Sequence, residues 1–322
     1  MRHELSYRVV RAILYPALLA GLMLVTSSDV RGATTITVTS TAQEATSANP
    51  NGVANGNCTL GEAIVAANTN TTVDACVVAG GGAPYTIVLS QATYTLASTH
   101  NFWYGPNALP PIAQTIIIEG NGALLQATAA TRLRFFFIGG PANGEFFSPG
   151  PGNLTLRNVT LTGGRQQGGS SPGGGAGAGM GGAIFNQGTL TLDSVTMNNN
   201  RATGGSSAGN DSLTAGGGMG SDVLAFGVNG GGFGGTISGG STGGVGTGFF
   251  GAGGGGGGFK STDNGAAATT TTGGNGGGIA DGLGGLGGYG LATNLGGSPG
   301  VGGHGSGGGG GAAPEGVPHA EQ

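Results

Sequence analysis

Charge is scarce in this chain: Asp, Glu, Lys and Arg make up 7% of its 322 residues, against roughly 25% in an ordinary soluble domain. So little charge argues against a helical enzyme and against a long solvated coiled coil, whose exposed faces need it. Cysteine occurs twice and tryptophan once, and two isolated cysteines cannot supply the ligand set of a structural metal site. Long apolar runs are absent but for "AILYPALLAGLMLV" (Ala12 to Val25), which is shorter than the ~20 residues a membrane span needs. What is abundant is glycine, with 78 residues in a chain where ~7% would be usual. That composition suits turns, thin strands and low-complexity sequence.

The apolar run belongs to an expected signal peptide over residues 1–32. Arg2, Arg8 and Arg11 give it a basic start, and Val30 and Gly32 stand at the −3 and −1 positions of a cleavage after Gly32. The expected location is therefore secreted or cell-surface, with no integral span in the mature chain and no cysteine placed for a lipid anchor. Beyond Gly32 there remain six basic and twelve acidic residues, a net charge of −6. No basic patch is left, so nucleic acid is not an expected partner. In an oxidising compartment Cys58 and Cys76 are expected to form a disulfide. It closes a loop of under twenty residues, worth about 3 kcal/mol on the chain-entropy estimate.

After the leader, "TTITVTS" (Thr34 to Ser40) alternates as a half-buried strand does. Further strand-like runs are "YTIVLS" (Tyr85 to Ser90), "ATYTL" (Ala92 to Leu96), "QTIIIEG" (Gln114 to Gly120), "ALLQ" (Ala123 to Gln126), "RFFFI" (Arg134 to Ile138) and "AIFN" (Ala183 to Asn186). "GNLTLRNVTLTGG" and "GTLTLDSVTMNNN" are an internal repeat at an offset of 36 residues. It pairs Leu154 with Leu190, Leu156 with Leu192, Val159 with Val195 and Leu161 with Met197. "TIIIEGNGALLQ" is a weaker earlier copy, with Ile116 and Ile118 at the leucine positions. Such a unit cannot bury its apolar face alone, but coils stacked along an axis bury a continuous core. The expected fold is all-β: a right-handed parallel β-helix, with Thr on its wet face and Asn158 at a corner. The alignment places Glu119, Arg157 and Asp193 in one column and predicts an exposed acid–base–acid ladder. Asn121, Asn158 and Ser194 form a second column at the corner, where a hydrogen-bonded ladder is expected.

"NCTLGEAIVAANTN" (Asn57 to Asn70) is the one strong helix signal. Thr59 and Glu62 have capping-box spacing, and Leu60, Ala63, Ile64 and Ala67 share one face. At about ten residues such a helix is marginal alone in water, so packing and the disulfide must hold it. Its expected role is to cap the open end of the first coil, with Glu62 a helix-start carboxylate and not a catalyst. "CTLGEAIVAAN" resembles the motif of the CSLREA domain, with Cys58, Leu60, Glu62 and Ala63 matching, Thr59 in place of serine and Gly61 in place of arginine. "TITVTST", "YTIVLSQATYTL", "LPPIAQTIIIEGNGA" and "GGAIFNQGTLTL" extend the similarity over about Thr34 to Ala202. The resemblance implies an exported bacterial protein with right-handed β-helix repeats, and it implies little about activity. "GGAI" (Gly181 to Ile184) is also similar to half of the repeat motif of polymorphic outer-membrane proteins.

From Gly163 onward 62 of the 78 glycines fall within 160 residues. There is no G-X-Y period and no calcium-binding nonapeptide, so a poorly ordered tract or enlarged loops are expected. The expected organisation is a signal peptide (1–32), an N-terminal strand, capping helix and disulfide loop (33–83), β-helix coils (84–203) and a glycine-rich region (204–322).

Residues with the pattern of a catalytic, cofactor or metal site are not found. G-x-S-x-G around Ser171, Ser241 and Ser298 follows no strand and opens no helix, as a nucleophile elbow requires. The sequence before Lys260 lacks the glycine of a phosphate loop. "GHG" at Gly303 to Gly305 has no paired aspartates, and His100 and His319 are isolated and expected in solvent. The best binding candidate is "HNFWYGPN" (His100 to Asn107), whose Phe102, Trp103 and Tyr104 are suited to stacking on a sugar ring or inserting into a partner; the competing expectation is that they pack over the cap. The expected function is a non-enzymatic, adhesion-like surface scaffold that binds a surface glycan or a host or neighbouring-cell protein. The alternative is a polysaccharide lyase or hydrolase with an incomplete site.

Overall fold

The computed structural model describes residues 33–79, 81–128, 132–141, 148–170, 176–206 and Asp222. The expected signal peptide, the residues around Ser241, Lys260, Ser298, Gly303 and His319, Ser171 itself, and most of the glycine-rich region lie outside them. The described chain is mostly strand, with one helix. Its elements are β1 (Ala33–Thr37), α1 (Leu60–Thr69), β2 (Gly82–Val88), β3 (Thr93–Leu96), β4 (Thr115–Ala127) and β5 (Phe136–Ile138). They continue with β6 (Asn153–Thr162), β7 (Arg165–Gln167), β8 (Ile184–Asn186), β9 (Thr189–Asp193), β10 (Thr196–Asn198) and β11 (Arg201–Thr203).

Every pairing between these strands is parallel. One series runs β1, β2, the first half of β4, the first half of β6, then β9. A second runs β3, the second half of β4, the second half of β6, then β10. Two further pairs, β5 with β8 and β7 with β11, complete the set. The pairing carries like residues over like. Ile36, Ile87, Ile118, Leu156 and Leu192 form one apolar column, and Tyr94, Leu125, Leu161 and Met197 form another. The first four residues of the first column are at most 1% exposed, whereas Leu192 is 47% exposed. Buried leucines and valine alternate with half-buried threonines along β6, as a strand with one dry and one wet face requires.

The internal repeat falls in the expected register: Leu154 pairs with Leu190, Leu156 with Leu192 and Leu161 with Met197. The charge column forms as well, with Arg157 Nη1 2.6 Å from Glu119 Oε1 and Arg157 Nε 3.9 Å from Asp193 Oδ2. All three side chains are substantially exposed, so each pair contributes on the order of 0–1 kcal/mol. The earlier copy departs in one respect. "ALLQ" is not a separate strand but the second half of β4, and the register shifts between Glu119 and Ala123. Gly120, Asn121 and Gly122 there occupy the corner that Asn158 fills alone in β6. Asn121, Asn158 and Ser194 have φ of 51°, 47° and 55°, the left-handed conformation in which asparagine is favoured. Rather than forming the expected corner ladder, Asn121 Nδ2 donates to Leu89 O and Ser194 Oγ donates to Asp193 Oδ1.

Helix α1 begins as expected. Thr59 is its N-cap, with the Glu62 amide donating to Thr59 Oγ1 and the Thr59 amide donating to Glu62 Oε2 at 2.9 Å. The cysteine sulfurs of Cys58 and Cys76 lie at disulfide distance, with Cα atoms 4.8 Å apart. Burial extends beyond the face of Leu60, Ala63, Ile64 and Ala67: every residue from Leu60 to Ala67 is buried. The chain ahead of the helix encloses its second side. A Cβ placed on Gly61 would lie 2.6 Å from the Ala45 Cβ, so glycine at this position lets the backbone of α1 come against Ala45. The Val53 amide donates to Glu62 Oε1, and Asn68 ties the far end by bonding Pro111 O and the Ala113 amide. Asp74 accepts from the amides of Asn55, Gly56 and Asn57, and so holds the loop that enters the helix. Strand β1 pairs with β2, so it is the first member of the sheet and not a separate terminal arm.

Candidate functional site

The aromatic loop is closed at its base by the chain's own backbone. The His100 amide donates to Asn107 O at 2.7 Å and the Asn107 amide donates to Asn101 O at 2.8 Å. At its tip Tyr104 and Gly105 have φ of 48° and 108°. A bulky residue such as tyrosine adopts that conformation only when its surroundings enforce it. Here they do, because four consecutive carbonyls accept from buried side chains. Asn107 Nδ2 donates to Trp103 O and Gly105 O, each at 2.8 Å, Arg134 Nη2 donates to Tyr104 O, and Gln166 Nε2 donates to Pro106 O at 3.4 Å. Glycine is needed at 105 on grounds of space too, since a Cβ there would lie 2.5 Å from Gln166 Nε2 and 2.7 Å from Arg134 Nη2.

The three aromatic side chains have different fates. Phe102 is exposed, Trp103 is half-buried and Tyr104 is buried completely. Trp103 stacks on Phe137 with ring centroids 5.7 Å apart and planes 6° from parallel. Tyr104 packs on Phe137 and Phe185 at 5.5 and 5.3 Å. The Trp103 and Tyr104 rings therefore pack on Phe137 of β5 and Phe185 of β8, in a cluster separate from that of the α1 residues, which corrects the expectation that they pack over the cap. Enclosure also removes Tyr104 from direct ligand contact and leaves Phe102 and Trp103. Burial raises the Tyr104 phenol above its ordinary range, with a hydrogen bond to Gln187 acting the other way.

His100 is not the free surface histidine expected. It is half-buried, with Nε2 donating to Pro50 O at 3.0 Å and Nδ1 accepting from Asn101 Nδ2 at 3.2 Å, the arrangement of the neutral ring. Burial lowers its pKa, and the bond to Pro50 opposes that shift.

Arg134, Asn107 and Gln166 hold the loop backbone, and sequence patterning did not single them out. Arg134 is fully enclosed, its guanidinium carbon 4.9 Å from the centre of the Phe185 ring, and burial lowers its pKa to about 9. Its Nε and Nη1 have no hydrogen-bond partner. The available signal was an arginine two places from another in "RLRFFFI", within an otherwise apolar strand.

The six described carboxylates are each engaged elsewhere. Glu119 and Asp193 face Arg157, Glu62 holds the helix start, Asp74 holds the 55–57 amides, Glu44 accepts from Asn55 and Asp222 pairs with Arg132 at 2.5 Å. Among the described residues no three His, Cys, Asp or Glu side chains come together as metal ligands, and no helix is long and apolar enough to cross a membrane. Comparison with protein families, curated proteins and solved structures found no match for this chain.

Proposed function

We propose that the chain is an exported right-handed parallel β-helix whose coils serve as a rigid scaffold of adhesion type, with the loop of Phe102 and Trp103 as its glycan-contacting surface. The parallel, in-register pairing of β1, β2, β4, β6 and β9 supports the helix of coils, and right-handedness follows from the general rule for parallel crossovers. In that architecture α1 closes the first coil, and the disulfide pins it there. The resemblance to CSLREA-type proteins supports export.

The observation that carries the non-enzymatic reading is the engagement of each described carboxylate in a structural contact. Hydrolysis of a glycosidic bond ordinarily uses two carboxyl groups facing that bond, and these groups instead hold a helix start, a loop and a surface column. A rigid loop presenting aromatic rings suits sugar binding, because stacking needs flat faces held in place more than it needs charge. The test is a glycan-array screen run beside a polyuronate cleavage assay. Binding without cleavage is expected. Release of unsaturated or reducing ends at a rate above the buffer control overturns the scaffold reading in favour of a lyase or hydrolase.

A further inference from the structure

We infer that the aromatic loop takes an acidic glycan, a sugar chain carrying carboxylates, and that buried Arg134 sets this preference as a positioning charge behind the loop. The inference rests on the glycan-binding reading of Phe102 and Trp103. Arg134 is fully buried, with Nε and Nη1 unpartnered, whereas buried charges in proteins are ordinarily paired. No described carboxylate lies within ion-pair distance of it. Among the described residues its guanidinium meets the face of Phe185 and the Tyr104 carbonyl. Neither of these carries negative charge, and an apolar enclosure screens a charge poorly.

An anionic ligand at the loop offsets the charge of Arg134. The occupant is assigned as a glycan and not an acidic peptide because Phe102 and Trp103 offer ring faces on a loop whose four tip carbonyls are tied down, which suits stacking on a flat sugar.

Trp103 is the only tryptophan in the chain, so fluorescence of the intact protein reports on this loop alone. The protein is titrated with oligogalacturonate, its neutral methyl ester and poly-glutamate. A saturable change is expected with oligogalacturonate, with about ten-fold weaker binding of the ester and a gap that narrows as salt is added. Arg134→Met is expected to bind acid and ester alike, and Arg134→Lys, which keeps the charge and serves where the Met variant does not fold, to retain the acid preference. Equal affinity of the native protein for acid and ester overturns the role of Arg134 and leaves the loop as a glycan platform. Loss of the acid preference in a folded Arg134→Lys variant, or its survival in Arg134→Met, overturns that role as well. Poly-glutamate binding as tightly as oligogalacturonate overturns the glycan assignment. No response to either sugar overturns the platform reading itself.

Discussion

Leu156 and Leu192 occupy the same place in two copies of one repeat and pair directly, yet they differ sharply in burial, at 1% and 47% exposed. Replacing each by alanine therefore separates the effect of sequence from that of stacking. At Leu156 the side chain lies between Ile118 and Leu192 in the apolar column, and truncation loses both the transfer energy and the contacts around the space left behind. The expected cost is about 2–5 kcal/mol. At Leu192 water already reaches half of the side chain and no cavity forms, so the cost is about 1 kcal/mol or less. Urea unfolding followed by far-ultraviolet circular dichroism reads both, provided the two variants share the parent's denaturant slope. The refuting result is an equal cost at the two positions, since that would require Leu192 to be enclosed as fully as Leu156.

Gly61→Arg is expected to destabilise by about 1–3 kcal/mol because a side chain there meets Ala45; an unchanged melting temperature would contradict the packing described. Cys58→Ser should lower stability by about 3 kcal/mol through loss of the 18-residue closure while leaving glycan-array specificity intact, and altered specificity at unchanged stability would count against a purely structural role for the disulfide. His100 gives a pH signature. Its pKa is lowered on folding, so the unfolded chain binds the extra proton first, and stability falls as pH drops below the ordinary histidine value of about 6.5. A His100→Gln variant should lose that component of the acid-side decline, and an identical pH profile would show that His100 does not contribute it.

The elements with strong local signals were legible in the sequence. The 36-residue offset placed Leu154 over Leu190 and Arg157 beside Asp193, and the weaker earlier copy placed Glu119 beside Arg157, because alternation and charge recur at fixed positions in each copy. The capping box of α1 was equally plain. Strands β7 and β11 were not, since "RQQ" and "RAT" have no apolar alternation and take strand form through pairing with each other and, at Arg165, with Leu133. The full burial of α1 was also hidden, because Ala45 and Gly52 come against it from sequence that reads as polar loop. In the candidate site, Phe102, Trp103 and Tyr104 stood out by composition, but their unequal exposure depends on Phe137 and Phe185 from distant strands. Arg134, Asn107 and Gln166 act through backbone carbonyls, a kind of partnership that leaves no spacing pattern.

Strands β6 and β9 pair in parallel with Thr155 beside Thr191, and cross-linking probes that register without reference to any ligand. Neighbouring strands lie about 4.8 Å apart, which falls in the roughly 4.4–6.8 Å range that a disulfide spans between Cα atoms. The double variant Thr155→Cys/Thr191→Cys should therefore close to a disulfide under mild oxidation, and Thr155→Cys/Asp193→Cys, two residues out of register, should not. Closure of the first pair alone is expected; closure of the second in preference to the first would contradict the parallel register of β6 and β9.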